Sequence, residues 1–410
     1  MASRLQQGRG GRLQHRLFLH GCQGRKIVTS QVYIAGAAMT PFGRHNALSM
    51  QDLAQAAVLN ALKDAGVRKD EVQAIYAANV YGGMVLGQVL IRDMGITGPA
   101  LYNVENACAS GATAVHLACQ ALRLGLYETV VVFGVEQLTQ LGGGTIPLQR
   151  NDYKTELYAS HGMTLPTVYA MRGTRYLHER GETAELLARV AVKNRAHGAR
   201  NPLAQQRSEV TLEEVLNSRP VAEPLTLLQC CPSAVDGAAA VVLTTRRPTQ
   251  HSAAVHILAS AVQSGYQELG CDDILDAEIT ARTARLAYEQ SGVDPKDVNL
   301  VELHDAFTIA ELLYYEALQL TKSGEGGELL RSGATALGGR VPVNPSGGLL
   351  AKGHPLGATG VAQMVEVVWQ LQNRADGRQI ENAKIGLTQC TGGGIAGVDH
   401  AASSVHILGV

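Results

Sequence analysis

Two stretches of this chain, far apart in sequence, are nearly the same. CASGATAV begins at Cys108 and HPLGATGV begins at His354, at an offset of 246 residues (354 − 108), and they share glycine, alanine, threonine and valine at matched positions. Helix-like sequence follows each stretch, so a thiol in one and an imidazole in the other stand at the N-terminus of a predicted helix. There the unpaired backbone donors and the positive end of the helix dipole favour a thiolate.

A second match in the same order indicates an internal duplication. The segment from Gly66 to the apolar run AIYAANV is repeated from Gly292 to LVELHDAF, at an offset of 226 residues (292 − 66). Because the offset grows between the two matches, the second half must carry extra residues, and the Gly-rich, charged segment 321–343 is their expected place. A chance helix-start pattern is the alternative, and two collinear matches make it the weaker one.

The composition limits the class of protein. A chain of 410 residues exceeds what one hydrophobic core usually supports, so two or three domains are expected. With 46% hydrophobic residues, 17% charged residues and a net charge of −1, the chain has no signature of a nucleic-acid partner. No apolar run approaches the roughly 20 residues of a transmembrane helix. Seven cysteines without a CxxC pair argue against a metal site and a secreted disulfide framework.

The N-terminal segment 1–30 is basic and contains no Asp or Glu. Such a segment is typical of an organellar transit peptide, and a disordered or artificial extension is the alternative. We expect a cytoplasmic protein if the source is bacterial, and a mitochondrial or peroxisomal one if it is eukaryotic. The final Leu-Gly-Val is not a peroxisomal signal, and the reduced cysteines argue against secretion.

From Gln31 onward, short β-branched runs alternate with helix-like segments, and the second half repeats the order. Such alternation is typical of βα units around a buried sheet. The stretch from Leu141 to about Arg219 has no counterpart in the second half and is richer in charge, which indicates an inserted subdomain. The predicted domains are an N-terminal extension (1–30), a first half (31–140 and 222–250), an insertion (141–221) and a second half (251–410).

Cys108 and His354 are the first candidates for catalysis. A free cysteine among small residues commonly fills a core, which we infer for Cys119. The Gly and Ser neighbours of Cys108 instead leave room for a substrate, and a cysteine nucleophile needs a base beside it. A duplicated fold with a pseudo-twofold axis brings the two predicted helix N-termini together, so His354 is the expected base. Capping of its own helix is the alternative role of His354.

His304 and Cys390 lie at two further strand ends. His304 follows the run VNLVEL, where open α/β sheets place ligand contacts, and we expect it to donate to developing negative charge. Asp305 beside it is expected to cap the following helix. Cys390 precedes three glycines, which form either a hairpin turn or a loop whose N–H groups approach an oxyanion. Metal binding is the competing use of these side chains, but their spacings lack the form of a metal motif.

Four segments together resemble the thiolase superfamily, and specifically the sterol-carrier-protein-2-type thiolases. They are NACASG around Cys108, LTLLQCCPSAVDGAAA from Leu225, VELHDAFTIAELLYYEAL from Val301 and NPSGGLLAKGHPLGATGVAQ from Asn344. The resemblance covers nearly the whole chain from about Gln31. It implies an α/β thiolase fold of two βαβαβαββ halves in five αβαβα layers with an inserted loop domain. It also implies a homodimer that pairs the first-half sheets of two subunits, with a tetramer as the alternative.

The resemblance further implies a role for each candidate. Cys108 is the acylated nucleophile and His354 is the base that activates it. Cys390 exchanges a proton with the departing acetyl-CoA carbon and with the incoming CoA thiol. His304 stabilises the thioester enolate oxygen together with His354, and the backbone N–H groups of Cys108 and Gly392 form a second oxyanion hole.

The segment KNRAHGARNPLAQ resembles the part of the thiolase loop domain that covers coenzyme A. The resemblance implies contacts to CoA from Lys193, Asn194, Ser346 and Gly347. Coenzyme A is then a co-substrate, and no permanently bound cofactor and no metal are expected.

One position departs from the pattern of animal sterol-carrier-type thiolases. Those enzymes carry a cysteine in HDCF and lack one in the late glycine loop, whereas this chain has Ala306 at the first place and Cys390 at the second. The chemistry needs one acid/base thiol near the α-carbon, so we expect the reaction to be kept. The substrate choice of the animal enzymes does not carry over.

The sequence therefore predicts an acyltransferase, a 3-ketoacyl-CoA thiolase that uses CoA to release acetyl-CoA or propionyl-CoA. Its expected setting is lipid metabolism, either β-oxidation of fatty acids or removal of a sterol side chain. One alternative is a ketoacyl-synthase-like condensing enzyme, which shares a Cys-His-His set but does not need Cys390. The other is a thiolase-like retro-aldolase that works with a small OB-fold partner; such relatives carry tyrosines at catalytic positions, where this chain has cysteines.

Overall fold

The computed structural model describes residues 30–142, 153–266, 273–394 and 400–410. The described residues form eleven strands, β1 to β11, at Tyr33–Met39, Ala74–Ala78, Ala100–Val104, Thr129–Gln137, Pro220–Ala222, Leu225–Thr226, Asp236–Thr244, His256–Ser264, Leu300–Glu302, Ile385–Gly392 and Ala402–Gly409. They also form twelve α-helices, α1 to α12, at Met50–Ala65, Leu86–Asp93, Ser110–Arg123, Tyr153–Ser160, Leu165–Arg180, Ala184–Ala199, Leu212–Leu216, Glu278–Ser291, Thr308–Ala317, Gly326–Arg331, Gly348–Ala351 and Leu356–Leu371. The predicted extension 1–30 lies outside the described residues, apart from Ser30.

Nine strands form one mixed sheet in the order β3-β2-β4-β7-β1-β8-β11-β10-β9. The strands β3, β2 and β4 run parallel, as do β9 and β10, and the other neighbours are antiparallel. The junction between the halves is narrow: β1 and β8 meet at the pair Tyr33 and His256, flanked by two backbone hydrogen bonds. Each half of the chain therefore contributes one side of the sheet.

The two halves follow the same path through the sheet. The run β1-α1-β2-α2-β3-α3-β4-β7 in the first half corresponds to β8-α8-β9-α9-α12-β10-β11 in the second. The place of β3 is taken by Val343, which forms a parallel bridge with Val301 at the edge of β9. The helix α10 lies within 321–343, where the sequence predicted the extra residues of the second half.

The second sequence match marks the C-termini of two equivalent helices. Gly66 ends α1 with a φ of 65°, and Gly292 ends α8 with a φ of 70°. Both values lie in the left-handed region, which glycine adopts at no steric cost. At the other end of α1, Ser49 and Asp52 form a capping box.

The two sides of the sheet lie on either side of a central layer of helices, and outer helices cover each side, which gives five layers. The outer helix α1 packs on β1, β4 and β7, and the outer helix α8 packs on β8 and β11. Between them, α3 and α12 contact each other and strands of both halves, and their apolar side chains belong to one large hydrophobic cluster with those of the strands. The central helices carry the repeated motifs, so the first match of the sequence lies at the middle of the molecule.

The helices α4 to α7 and the short strands β5 and β6 lie between β4 and β7. This is the region that the sequence predicts as an insertion, and its exact limits stay a prediction. In the part of the chain that the structure describes, no helix is both long and apolar enough to cross a membrane.

Candidate active site

Cys108 lies in a tight connection between β3 and α3. It precedes Ala109, the N-cap residue of α3, and it follows Ala107, whose φ of 48° lies in the left-handed region that side chains disfavour. The hydroxyl of Ser110 holds this conformation, because it donates to the Ala107 carbonyl (2.5 Å) and accepts from the Asn106 N–H (2.9 Å). A constrained turn therefore presents the thiol.

His354 occupies the equivalent place before α12. It precedes Pro355, the N-cap residue, as Cys108 precedes Ala109. Its Nδ1 lies 2.8 Å from the hydroxyl oxygen of Thr359, and that hydroxyl donates its one proton to the Pro355 carbonyl (3.0 Å). We infer that Nδ1 carries a proton and donates it to Thr359. Nε2 is then the basic nitrogen of His354.

His304 and Cys390 come from two neighbouring strands of the second half. His304 follows β9, and its backbone N–H donates to the side-chain oxygen of Gln389 (3.0 Å). Cys390 belongs to β10, and its sulfur lies 3.4 Å from Nδ1 of His304 and 3.2 Å from the carbonyl oxygen of Cys108. The parallel pairing of β9 with β10 thus places the imidazole beside the second thiol.

The four side chains form one cluster. One donor atom from each of Cys108, His304 and His354 lies within 4.8 Å of the others. The rings of His304 and His354 meet edge to face, with centroids 4.9 Å apart. The structure therefore brings together all four residues that the sequence singled out for catalysis, from positions up to 282 residues apart.

Burial keeps these groups neutral at rest. Cys108 is partly exposed, but the protein around its sulfur displaces enough water to raise the pKa of the thiol to about 12. Burial lowers the pKa of His354 to about 3, and burial together with the neighbouring imidazoles lowers the pKa of His304. Burial also raises the pKa of Cys390. The thiolate expected from the helix N-terminus is thus wrong for the resting protein, because desolvation outweighs the local donors.

Two backbone N–H groups donate to the sulfur of Cys108, and both oppose the effect of burial on its pKa. They belong to Cys108 itself and to Gly393. Gly393 follows Gly392, the predicted second donor of the oxyanion hole, and that role of Gly392 stays a prediction. Gly392 also has a steric role: a Cβ there would collide with the carbonyl oxygen of Asn106. A side chain at this position would push β10 away from the Cys108 turn.

Glu136 in β4 accepts hydrogen bonds from backbone N–H groups of both halves of the chain. Its carboxylate accepts from the N–H groups of Val80 (3.1 Å), Tyr81 (3.0 Å) and Gly357 (3.0 Å). Burial raises its pKa to about 7, although these hydrogen bonds act in the opposite direction. Because Gly357 lies in the first turn of α12, Glu136 anchors the helix that carries His354. The sequence signal was a carboxylate within the apolar run TVVVFGVEQ, and sequence reasoning missed it.

The expected cap at Asp305 is wrong. The helix α9 begins at Thr308 with Phe307 as its N-cap residue and no side-chain cap. Asp305 instead accepts from the N–H groups of Leu349 (2.7 Å) and Leu350 (3.3 Å) at the start of α11. Burial raises its pKa to about 8, and the charge of Glu311 adds to that rise. Asp305 therefore caps α11, a helix far along the chain, and not the helix that follows it. A side chain from a distant segment can satisfy the free N–H groups of a helix N-terminus as well as a local one can.

The residues expected to contact CoA have partners within the protein. Asn194 donates to Asp305 (2.8 Å) and Glu311 (2.7 Å), and Lys193 pairs with Glu311 at 2.6 Å. Ser346 donates to Glu302 (2.7 Å). Gly347, with a φ of 98°, is the N-cap residue of α11. These residues tie α6 and α11 to β9, and their contacts to CoA stay a prediction.

A surface cleft of about 350 Å³ lies next to Lys193, between α6 and α10. Its lining includes the cationic residues Arg189, Arg200 and Arg331. Two of them are engaged, Arg189 with Glu185 and Arg331 with Glu182. None of the four cysteine and histidine residues of the cluster lines this cleft. The ion pairs neutralise part of its positive charge.

Family models match both halves of the chain. The model for the thiolase N-terminal domain covers residues 32–247, and the model for the thiolase C-terminal-like domain covers residues 262–409. The chain belongs to the thiolase family. This confirms the family that the sequence motifs indicated.

Curated relatives place the chain among thiolases of several kinds. Benzoylsuccinyl-CoA thiolase subunit BbsB of Thauera aromatica is 44% identical over 89% of this chain and 95% of its own length. An acetyl-CoA acetyltransferase of Methanothermobacter thermautotrophicus is 40% identical over 88% of this chain and 96% of its own. Sterol carrier protein 2 of Rattus norvegicus is 36% identical over 90% of this chain and 71% of its own. The predicted enzyme class, an acyltransferase, is thereby confirmed.

Solved structures confirm the thiolase fold. The Ltp2-ChsH2(DUF35) aldolase has a TM-score of 0.80 at 28% identity and matches 93% of this chain and 98% of its own. Human mitochondrial 3-ketoacyl-CoA thiolase in complex with CoA has a TM-score of 0.69 at 20% identity, with the same coverage of 93% and 98%. The duplicated α/β architecture predicted from the repeats is therefore correct.

A thiol and two imidazoles also suit Zn²⁺ as ligands. The donor atoms of Cys108, His304 and His354 are close enough to share one ion. A fourth group beside them, the thiol of Cys390, is held by His304 and by the Cys108 carbonyl. Two thiols and two imidazoles are also a common zinc set, but the Cys390 sulfur is not among the donor atoms that lie within 4.8 Å of one another, so the four groups do not converge on one ion.

Proposed function

We propose that this thiolase cleaves a 3-ketoacyl-CoA with free CoA, giving acetyl-CoA or propionyl-CoA and a shortened acyl-CoA. One observation carries the proposal: Cys108, His354 and His304 lie within reach of one another, and the thiol of Cys390 lies against His304 and the Cys108 carbonyl. The nucleophile and its base precede two equivalent helices, and an acid/base thiol lies beside a hydrogen-bond donor.

In the first step the sulfur of Cys108 attacks the 3-keto carbon while Nε2 of His354 accepts the thiol proton. The N–H groups of Cys108 and Gly393, which donate to the resting sulfur, are placed to stabilise negative charge close to it. The bond between carbons 2 and 3 then breaks. Its electron pair leaves as the enolate of acetyl-CoA or propionyl-CoA, and the acyl group stays on Cys108.

Cys390 and His304 act on the enolate. In the resting structure the Cys390 thiol donates to the Cys108 carbonyl oxygen. When it turns to Nδ1 of His304, 3.4 Å away, that imidazole carries its proton on Nε2 and can donate to the enolate oxygen together with His354. Cys390 protonates the α-carbon, which completes the first product. Its thiolate then accepts the proton of the incoming CoA thiol, and the CoA sulfur attacks the acyl-Cys108 thioester. The bond between the acyl carbon and the Cys108 sulfur breaks, that sulfur takes back the proton held on Nε2 of His354, and the shortened acyl-CoA leaves.

Two other reactions use related sites. A condensing enzyme releases CO₂ from a malonyl thioester and needs no second thiol, so Cys390 argues against it. A retro-aldolase has a tyrosine in place of a catalytic cysteine, and both cysteines are present here. The aldolase similarity in fold does not outweigh these residues, since a fold alone does not specify a reaction.

We further propose a role in lipid breakdown, by β-oxidation or in sterol side-chain removal, and a homodimer as the basic assembly. A small OB-fold partner is part of the same proposal. It is supported by the relative named as a subunit of benzoylsuccinyl-CoA thiolase and by the aldolase whose printed name includes a DUF35 partner. Co-purification of the chain with a DUF35 protein from its own source tests that part.

Replacement of the nucleophile tests the reaction. We expect Cys108→Ala to lower the rate of acetoacetyl-CoA thiolysis by at least about 10⁴-fold and to remove the acyl adduct that intact-mass spectrometry detects on the wild-type chain. Cys119→Ala, in the core of the same helix, is the matched control and should keep both. Retained thiolysis in Cys108→Ala, or malonyl-primed condensation faster than thiolysis in the wild type, contradicts the proposal.

A further inference from the structure

Arg172 on α5 is a buried cation that has no anionic partner among the described residues. Only 1% of the residue is exposed, and in the described part of the chain none of its three guanidinium nitrogens has a hydrogen-bond partner. Other buried cations have partners: Lys352 pairs with Glu302, Arg378 pairs with Glu366, and the Arg195 guanidinium donates to Ser208. A guanidinium stays protonated in proteins, so an unpaired one in the interior is costly unless a ligand completes it.

A group of polar aromatic side chains surrounds this cation. The guanidinium carbon lies 5.4 Å from the ring centre of Tyr169. The Tyr169 hydroxyl lies 2.6 Å from Nε2 of His400 and 3.2 Å from the hydroxyl of Tyr314. Burial raises the pKa of Tyr314, and the charge of Arg172 acts in the opposite direction, which is consistent with a guanidinium close to that hydroxyl.

The same side chains reach the catalytic cluster. Tyr169 stacks on Phe307, three residues after His304, with ring centres 4.7 Å apart. The ring of His400 lies 6.4 Å from the ring of His304, and its Nδ1 lies 2.7 Å from the carbonyl oxygen of Gly393. The N–H of Gly393 in turn donates to the Cys108 sulfur. Arg172 thus lies behind one layer of side chains next to the reacting centre.

We propose that Arg172 binds a carboxylate on the acyl part of the substrate, so that this thiolase selects acidic 3-ketoacyl-CoAs. A guanidinium can bind a carboxylate through two parallel hydrogen bonds, and all three guanidinium nitrogens of Arg172 lack a partner among the described residues. The phosphates of CoA are poor candidates for this anion, because the pantetheine arm holds them far from the reacting sulfur. The inference rests on the proposed thiolase reaction and specifies its substrate class.

Matched substrates test the selection. 3-Oxoadipyl-CoA carries a carboxylate, and 6-methyl-3-oxoheptanoyl-CoA has the same shape with an isopropyl group in its place. A second pair, acetylsuccinyl-CoA and 2-isobutyl-3-oxobutanoyl-CoA, puts the carboxylate on the branch at carbon 2. In at least one pair we expect kcat/KM to favour the acid by about tenfold or more. Equal kcat/KM values within both pairs overturn the proposal.

Substitutions at two arginines of α5 test whether the preference for acidic substrates depends on Arg172. In Arg172→Met the ratio of kcat/KM for acid over isostere should fall by about tenfold or more. Arg175→Met is the matched control, because Arg175 lies one turn further along α5 and is paired with Glu179 and Asp273, and it should keep the wild-type ratio. A fall of both substrates by the same factor in Arg172→Met indicates a structural role and contradicts the proposal.

A binding measurement separates this inference from the reaction itself. With the Cys108→Ala protein, calorimetry should show tighter binding of succinyl-CoA than of its isostere 4-methylpentanoyl-CoA, and the added Arg172→Met substitution should remove the difference. If no 3-ketoacyl-CoA is cleaved but this difference persists, the proposed function fails and the carboxylate site stands. If thiolysis proceeds and the two acyl-CoAs bind equally before and after the substitution, the carboxylate site fails alone.

Discussion

The thiol of Cys108 and the imidazole of His354 are both neutral before substrate binds, because burial raises the pKa of the first to about 12 and lowers that of the second to about 3. A neutral pair is less costly to bury than an ion pair. Proton transfer must then accompany attack on the carbonyl carbon, where the developing oxyanion meets prepared N–H donors.

We therefore predict an unusual pH dependence for alkylation of Cys108. Below its pKa, the thiolate fraction of a thiol rises about tenfold per pH unit, and the thiolate is the form that reacts. The iodoacetamide rate at Cys108, followed by peptide mass spectrometry, should therefore rise without levelling between about pH 6 and 9. If Cys108 were a thiolate at rest, its alkylation rate would already be constant over this pH range. A plateau in the rate therefore contradicts a neutral Cys108 and His354. Cys108→Ala identifies the background.

At the scale of single residues, the sequence predicts the contacts between residues at matched positions of the two repeats. The matched positions of Cys108 and His354 predict their pairing, which the structure brings about. The partner of Asp305 is not predictable locally, because its helix begins more than forty residues later. Arg172 is equally hidden: the segment LPTVYAMRGTRYLHER reads as a surface helix with scattered cations, and only the folded chain shows which of them is buried.

The helices α3 and α12 cross where the repeated motifs place glycine. A Cβ on Gly111 would lie 2.7 Å from the carbonyl oxygen of Gly357, and a Cβ on Gly360 would collide with the backbone of Ala112. Gly111 and Gly357 are the same position of the two motifs. The repeated sequence is thus also a contact surface, at which each motif packs against the other copy.

We predict that Gly111→Ala lowers the free energy of unfolding by about 1–3 kcal/mol, the usual cost of overpacking a rigid contact. It should also lower kcat, because the crossing sets the distance between Cys108 and His354. Urea unfolding and thiolysis rates measure the two effects. Gly377→Ala is the control, since its Cβ would meet no atom within 4 Å. Equal stability of the two variants argues against a rigid crossing.

The order of elements follows from the sequence, but some elements do not. Alternating strand-like and helix-like runs predict the βα units, and the collinear matches predict the duplication. The last strand, β11, was not singled out, because it contains polar residues that the fold buries: Ser403, Ser404 and His406. His406 lies 2.9 Å from the Ser260 hydroxyl across the sheet. Its environment depends on β8, well over a hundred residues earlier.

On the scale of the whole molecule, β3 is the exposed end of the first half of the sheet. It pairs with β2 on one side, and among the described residues no strand lies on the other. Ala100, Tyr102 and Asn103 are exposed on it. An unpaired edge of this kind is a template for another strand, which supports the proposed pairing of two first-half sheets in a homodimer.

Light scattering after size exclusion should therefore report twice the mass of one chain. Tyr102→Lys places a cation on β3, so two copies meet as like charges, and we expect the dimer to weaken by at least about tenfold. Leu216→Lys, at another exposed apolar position outside the sheet, should leave the mass unchanged. A monomeric wild type, or a Tyr102→Lys protein as dimeric as the control, contradicts pairing through β3.

The catalytic sulfur and its base belong to different copies of the duplicated unit. During folding, Cys108 is an ordinary thiol until the two units dock, and docking both removes water from it and supplies His354. The reactivity of this one cysteine toward a mild alkylating agent therefore records the assembly of the chain in time. Unfinished molecules are labelled quickly, and finished ones are labelled far more slowly at the same pH.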